Sequence, residues 1–336
     1  MRAAEPIREI EAGGFDGGAL DGAIADATEP LVLRGLIKHW PLVAAAAAGR
    51  ADAYLRGFYG NATVTAMLGA PAIDGRFFYN EDLSGFNFAP VRVRLDTVLD
   101  ELIKHAASDP APAVYVGSTT VDTCLPGLRQ QNDIDLGARD ALASIWIGNR
   151  TRIAAHYDVP DNIACVAAGR RRFTLFPPDQ LENLYIGPLD FTPAGQAISL
   201  VDVKHPDLVR FPRYAEALAN AQIAELGAGD AIFIPSMWWH SIEALDPFNV
   251  LVNYWWRNVP EHVDTPTNAL LLALMTIRDL PPVQRAAWQA QFRHYVFDAD
   301  DSTAAHIPPA ARRILAPLDD DATRVLRAQL LKKLNR

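Results

Sequence analysis

His156 and Asp158, two residues apart in AAHYDVPD, and His240 in FIPSMWWHSIEAL offer two imidazoles and one carboxylate. Brought to one point, this set covers one face of an octahedral metal and leaves three positions open, the arrangement that suits non-haem Fe(II) chemistry with O2. A closed structural zinc site would use four protein ligands. Taken singly the pieces say little. A chain with eight histidines can contain a chance His-x-Asp, and a lone His among tryptophans is commonly a hydrogen-bonded core residue. The other reading of His156 and Asp158 is a hydrogen-bonded pair within a strand.

For the three to meet, strands must carry them. Alternate residues of a strand share a face, so His156 and Asp158 are expected to point together into a barrel while Tyr157 points away. His240 must arrive from another strand, and the turn sequence GAGD, Gly227 to Asp230, sends AIFIPSMWW toward that site. Residues 113–260 suit this task. AVYVGS, SIWIGN, NIACVAAG, RRFTLFPP, AIFIPS and NVLVNYWW are short apolar runs with period-two alternation and Gly or Pro punctuation, which predicts an antiparallel barrel or double-sheet roll. Residues 1–112 mix short strands such as EPLVLRGL with an alanine-rich helix near residues 44–55, and read as an α/β covering segment. Residues 261–336 change character again. NALLLALMTIRDL, PPVQRAAWQAQFRHYVF and DDATRVLRAQLLKKLN have helical apolar spacing, with starts expected at Thr267, Pro281-Pro282 and Asp319 to Asp321.

Composition narrows the partners. The 336 residues are 50% apolar and carry a formal net charge of -9. That supports a large core and argues against general nucleic-acid binding, which needs a basic stripe to displace counterions. Cys124 and Cys165 are too few for a disulfide framework and read as small buried hydrophobes. No stretch offers about 18 uncharged apolar residues for a membrane span, and MRAAEPIREIEAGGF lacks the apolar core of a leader. A soluble, cytoplasmic protein is expected.

The segments HYDVPDNIACVAAGRRRFTLFPPDQLENLYIGP, GDAIFIPSMWWHSIEAL and VLVNYWW resemble the JmjC-type, cupin-like 2-oxoglutarate oxygenases, and are closest in motif to the asparaginyl hydroxylase of hypoxia-inducible factor. The resemblance is strong over about residues 115–257, and EPLVLRGLIKHWPLV is similar to the entry strand of the same group. It implies a mainly β fold with α: a double-stranded β-helix (cupin or jelly-roll) core under an N-terminal α/β layer, with C-terminal helices. It further implies Fe(II) held by His156, Asp158 and His240, 2-oxoglutarate and O2 as co-substrates, and coupled decarboxylation and hydroxylation.

The same resemblance nominates co-substrate residues. A lysine that pairs with the distal carboxylate of 2-oxoglutarate is replaced here by Arg171, which keeps the charge and can bind a carboxylate bidentately. Its neighbours Arg170 and Arg172 compete for the role, since strand alternation decides which faces inward and a one-residue bulge would change the answer. Tyr115 matches a tyrosine that contacts the co-substrate, though a buried strand tyrosine is an equally good reading. Asn162 and Asn253 match asparagines near the metal, and Trp255 shares the strand face of Asn253. Ile153 stands where the related enzyme has a threonine on the same carboxylate, so one hydrogen bond is missing.

A protein or peptide side chain is the leading substrate, with a small molecule as the alternative. The aromatic-rich stretch at residues 76–88 could form a lip over the site or a packed hairpin. The C-terminal helices match in position those through which the related hydroxylase dimerises. Two other functions stay open: a binding or regulatory protein with an inactive cupin-like site, and a metal-dependent cupin enzyme that needs no 2-oxoglutarate.

Overall fold

The computed structural model describes residues 4–193 and 195–335. Its strands are β1 (Glu5–Pro6), β2 (Arg8–Glu11), β3 (Leu31–Arg34), β4 (Thr63–Gly69), β5 (Arg76–Phe77), β6 (Phe88–Arg94), β7 (Ala113–Thr120), β8 (Leu142–Gly148), β9 (Arg152–His156), β10 (Asp161–Ala168), β11 (Arg171–Phe176), β12 (Gln222–Leu226), β13 (Ala231–Ile234), β14 (Trp239–Ala244) and β15 (Asn249–Trp256). They form two sheets. Six strands run in the order β1-β12-β11-β14-β9-β5 and nine in the order β2-β3-β13-β10-β15-β8-β7-β4-β6.

The eight strands from β8 to β15 divide between the sheets as β8-β15-β10-β13 and β9-β14-β11-β12, so sequence neighbours mostly cross from one sheet to the other and ladders join strands distant in sequence. This is the jelly-roll winding of a double-stranded β-helix, and the chain is mainly β with helices. Inward-facing residues of both sheets, including Val166, Phe173, Leu175, Ile232 and Leu251, fill one part of the interior. A second, larger core lies on the outer face of the nine-stranded sheet. There Leu99 and Leu102 of the helix Leu95–Lys104, Leu42 of Pro41–Ala47 and Leu55 of Ala51–Arg56 pack over Ile145, Ile147, Val252 and Tyr254.

Residues 4–112 are woven into this roll instead of lying over it as a separate layer. β1 pairs in parallel with β12, β3 pairs with β13, β4 with β7, and β5 in parallel with β9. The first compact unit accordingly extends to Arg257 and the second begins at Asn258. In the second unit the helices Pro266–Thr276 and Pro282–Phe292 begin with proline, whose missing N–H costs nothing in the first turn. The helix Asp320–Leu334 is capped by the Asp319 carboxylate accepting from the Ala322 N–H. Among the described residues of this unit Ala304 alone is buried, while Leu270, Leu271, Met275, Trp288 and Phe297 stay exposed. No helix among the described residues is long and apolar enough to cross a membrane.

One turn governs the register that matters below. Gly169 joins β10 to β11 with φ of +73°, and a Cβ there would lie 2.3 Å from Asn249 Oδ1 and 2.7 Å from the Phe248 carbonyl oxygen. Gly169→Ala therefore combines left-handed strain with a backbone clash. It is expected to lower stability by about 1–3 kcal/mol, measurable as a reduced midpoint in urea unfolding.

Candidate metal and co-substrate site

His156 ends β9 and stands directly opposite His240 on β14. Between this pair and the next, Ile153 opposite Ile242, β9 spends three residues against two of β14. That bulge lets Ile153 and His156, three apart in sequence, both face the interior. Ser241 Oγ secures it by donating to the Ile153 carbonyl at 2.8 Å. Asp158 was expected within the same strand, but β9 stops at His156 and Asp158 lies two residues beyond, in the turn to β10. The turn is tied to the β13–β14 loop: the Met237 N–H donates to the Asp158 carbonyl at 2.9 Å and the Ser236 N–H to Asp161 Oδ1 at 2.8 Å. Tyr157 turns away and meets Trp239 edge-on.

One ligand atom from each of His156, Asp158 and His240 lies within 4.8 Å of the others. His240 Nε2 is 3.5 Å from Asp158 Oδ2. Each imidazole donates its Nδ1–H to the carbonyl two residues earlier on its own chain, Ala154 at 2.9 Å and Trp238 at 3.0 Å. Both Nε2 lone pairs are thereby left for a metal, and the rings are oriented before it binds. The donor set is open-sided, with three protein ligands, and suits a catalytic metal better than a closed structural one.

The electrostatics keep these ligands ready. Burial, reinforced by the His240 ring, pushes the His156 imidazole down to about 4. Desolvation would raise the Asp158 carboxyl, but the hydrogen bond and charge of His240, the His156 ring and the nearby Trp255 indole together hold it below its ordinary value. The Trp255 Nε1–H has no hydrogen-bond partner among the described residues and acts on Asp158 as a neighbouring dipole.

Because His156 titrates lower in the folded state than in the unfolded chain, its contribution is full above about pH 6.5 and is lost as pH falls toward 4. The metal-free protein is expected to lose on the order of 3 kcal/mol across that window. His156→Gln should flatten that part of the stability profile, and an unchanged slope would mean that another group titrates there.

Behind the triad lies a cavity of about 220 Å³ inside the roll. Tyr115, Asn162, Arg171, Asn253 and Trp255 all line it, together with the three candidate ligands. Register decides which of the three arginines faces inward. β11 pairs without interruption with both β12 and β14, so Arg171 points inward with Phe173 and Leu175. Arg170 turns out to Asp246 at 3.0 Å, and Arg172 to Glu225 at 2.6 Å and Glu243 at 3.1 Å. Arg171 is 3% exposed, and its Nε has no hydrogen-bond partner among the described residues. Burial pushes its guanidinium down to about 10, partly offset by Tyr115.

A buried cation without an anion is costly unless a ligand supplies one. Apart from Ser118, the remaining wall is mostly apolar, with Met67, Phe77, Ile153, Ile198, Ile242 and Leu251. Two nitrogens and one oxygen facing an open metal position, with an unneutralised guanidinium in the same cavity, fit Fe(II) with a small dianion such as 2-oxoglutarate.

Trp146 is the residue that the motifs did not single out. It lines the cavity, and its Nε1–H donates to Asn253 Oδ1 at 2.6 Å. Its signal was the strand alternation in SIWIGN: Ile145 and Ile147 belong to the outer core, so Trp146 must face inward. The aromatic stretch at residues 76–88 is both packed and lining. Phe77 reaches the cavity, while Phe78 and Tyr79 cluster with Phe86, Phe191 and Ile198. Trp238 donates to the Thr28 carbonyl at 3.0 Å, and Trp256 stacks on Phe233.

Known proteins share this framework. The profile of the "Cupin-like domain" family matches residues 20–262. Lysine-specific demethylase JMJ31 of Arabidopsis thaliana is 35% identical over 153 residues, 42% of this chain and 27% of that protein. Lysine-specific demethylase 8 of Xenopus tropicalis is 28% identical over 231 residues, 68% of this chain and 48% of the relative. tRNA wybutosine-synthesizing protein 5 of Gallus gallus is 33% identical over 145 residues, 39% of this chain and 42% of the relative. This chain spans less than half the length of each of these curated relatives. With the family profile covering most of the chain and the roll wound as that fold requires, the protein belongs to the Cupin-like domain family.

Proposed function

We propose that this protein is a 2-oxoglutarate- and Fe(II)-dependent oxygenase that hydroxylates a protein or peptide side chain. The observation that carries the reading is the pairing of the His156–Asp158–His240 face with the uncompensated Arg171 guanidinium in one apolar cavity. His156 and His240 would bind the iron through Nε2, and Asp158 through a carboxylate oxygen that cancels part of the metal charge. Arg171 would pair with the far carboxylate of 2-oxoglutarate, and the Tyr115 hydroxyl, in the same cavity, would share it. When bound, Fe(II) and 2-oxoglutarate use O2 to yield succinate and CO2 while one oxygen atom enters a substrate C–H bond. The part of the chain is to orient these reactants, and the apolar wall formed by Phe77, Ile153, Ile198 and Ile242 excludes water.

The names of the relatives include lysine-specific demethylases and a tRNA-modifying protein. The net charge of -9 weighs against the nucleic-acid branch and toward a polypeptide substrate. The exposed apolar residues of the C-terminal helices support a homodimer formed through that region, and the reading includes a cytoplasmic location. Ile153, lining the cavity without a hydroxyl, favours one rival: a cupin that binds ligand without turnover.

Aerobic incubation of the Fe(II)-loaded protein with labelled 2-oxoglutarate separates the two. Succinate release that Asp158→Ala abolishes supports the oxygenase; bound iron with neither 2-oxoglutarate binding nor succinate favours the rival.

A further inference from the structure

Three polar side chains on the cavity wall form a one-way chain. Trp146 Nε1–H donates to Asn253 Oδ1 at 2.6 Å, and Asn253 Nδ2 donates to Asn162 Oδ1 at 3.2 Å. An indole nitrogen only donates. The Asn253 atom beside it must therefore be the oxygen, which turns Asn253 nitrogen toward Asn162. The Asn162 atom that meets it must in turn be an oxygen. By elimination the free end of Asn162 is its NH2, and that residue lines the cavity beside the metal ligands. Amide orientation is ordinarily ambiguous because oxygen and nitrogen are nearly alike in shape. Here a group that cannot accept removes the ambiguity along the whole chain.

The indole itself has little freedom. Trp146 meets Trp255 edge-on at 5.7 Å and lies 6.0 Å from Tyr115. Gly117 makes room for it, since a Cβ there would come within 3.1 Å of the Trp146 ring. The three polar residues also sit on adjacent strands: β15 pairs with both β8 and β10, with Asn253 opposite Ser144 and Ala164. The sheet thus fixes the spacing of the chain.

We propose that Trp146 is a positioning residue that sets the direction of the Asn253–Asn162 amide pair, so that Asn162 presents N–H donors to an anionic oxygen of the ligand beside the metal. The inference rests on the oxygenase reading for the identity of that ligand, a 2-oxo acid. Without the indole N–H, both amides are free to flip, and Asn162 would turn a carbonyl oxygen on an anion for part of the time.

The test is anaerobic calorimetric titration of 2-oxoglutarate into Fe(II)-loaded protein, with Trp146→Phe, Asn162→Ala and the double variant. A hydrogen bond to a charged group implies about a tenfold loss or more for each single change, with iron affinity unaltered. The double variant should bind no worse than Asn162→Ala alone, because the indole acts only through that amide. Losses that multiply, or an unimpaired Trp146→Phe, would overturn the role.

Asn253→Asp provides a second route should Trp146→Phe misfold: it still accepts from the indole but cannot donate to Asn162, so 2-oxoglutarate binding should weaken by a similar factor. An Asn253→Asp protein that binds normally would count against the chain. The indole N–H resonance of Trp146 in metal-free protein keeps the two levels apart. If wild-type protein takes up iron but no 2-oxoglutarate, the oxygenase reading fails. A Trp146 N–H that is protected from exchange and loses protection in Asn253→Leu still supports the directed chain, whereas an unprotected one refutes it.

Discussion

Asp158→Ala is expected to abolish tight iron binding and turnover together, while leaving the fold intact. The side chain lies in a turn beyond the end of β9, so its loss removes no ladder hydrogen bond. What goes is the only anionic member of the donor set, and the two remaining imidazoles are neutral. Loss of a residue that merely supports a metal ligand costs about 10–100-fold in affinity, and loss of a charged ligand itself should exceed that. Equilibrium dialysis against Fe(II), with circular dichroism as the control for folding, measures it. Retention of iron-dependent turnover by this variant would remove Asp158 from the site.

Arg171→Met should show two effects of opposite sign. The guanidinium is buried, its Nε is unpartnered, and burial pushes it down to about 10. A cation whose folded-state value is depressed destabilises the fold at every pH below that value, and relief begins only above about 10. Replacing it with an apolar chain of similar length should therefore stabilise the ligand-free protein, by on the order of 2–4 kcal/mol. The same change should weaken 2-oxoglutarate binding by about 100-fold or more, since the distal carboxylate then has no cationic side chain in the cavity to pair with. Arg171→Lys should fall between, keeping the charge but losing the planar fork. A structural arginine would behave otherwise: Arg171→Met would destabilise the fold and leave ligand affinity alone.

The legible part of this molecule is the part written in alternation. AVYVGS, SIWIGN, NIACVAAG, RRFTLFPP, AIFIPS and NVLVNYWW became β7, β8, β10, β11, β13 and β15, because a strand with one face inside a roll must repeat with period two. The helix starts near Pro266, Pro282 and Asp319 were legible for a different reason, since proline and aspartate satisfy the first turn locally. The partners of the N-terminal strands were not. β1 pairs Glu5 with Gln222, and β3 pairs Leu33 with Ala231; no local pattern records a pairing across about 200 residues.

At the site, residue type pointed to His156, Asp158 and His240, but the β9 bulge and the position of Asp158 beyond the strand depend on a register slip that alternation cannot express. Arg171 could be separated from Arg170 and Arg172 only once β11 was seen to pair without a bulge. Trp146 was visible as an inward residue but not as a donor, because its partner Asn253 lies 107 residues away on the neighbouring strand.

The most direct measurement is an anaerobic titration of the Fe(II)-loaded protein with 2-oxoglutarate, followed through the weak visible charge-transfer band that bidentate chelation of Fe(II) produces. A saturable band that disappears in Asp158→Ala and needs far more ligand in Arg171→Met is the expected result. Iron bound at the triad with no band at any 2-oxoglutarate concentration would contradict the account.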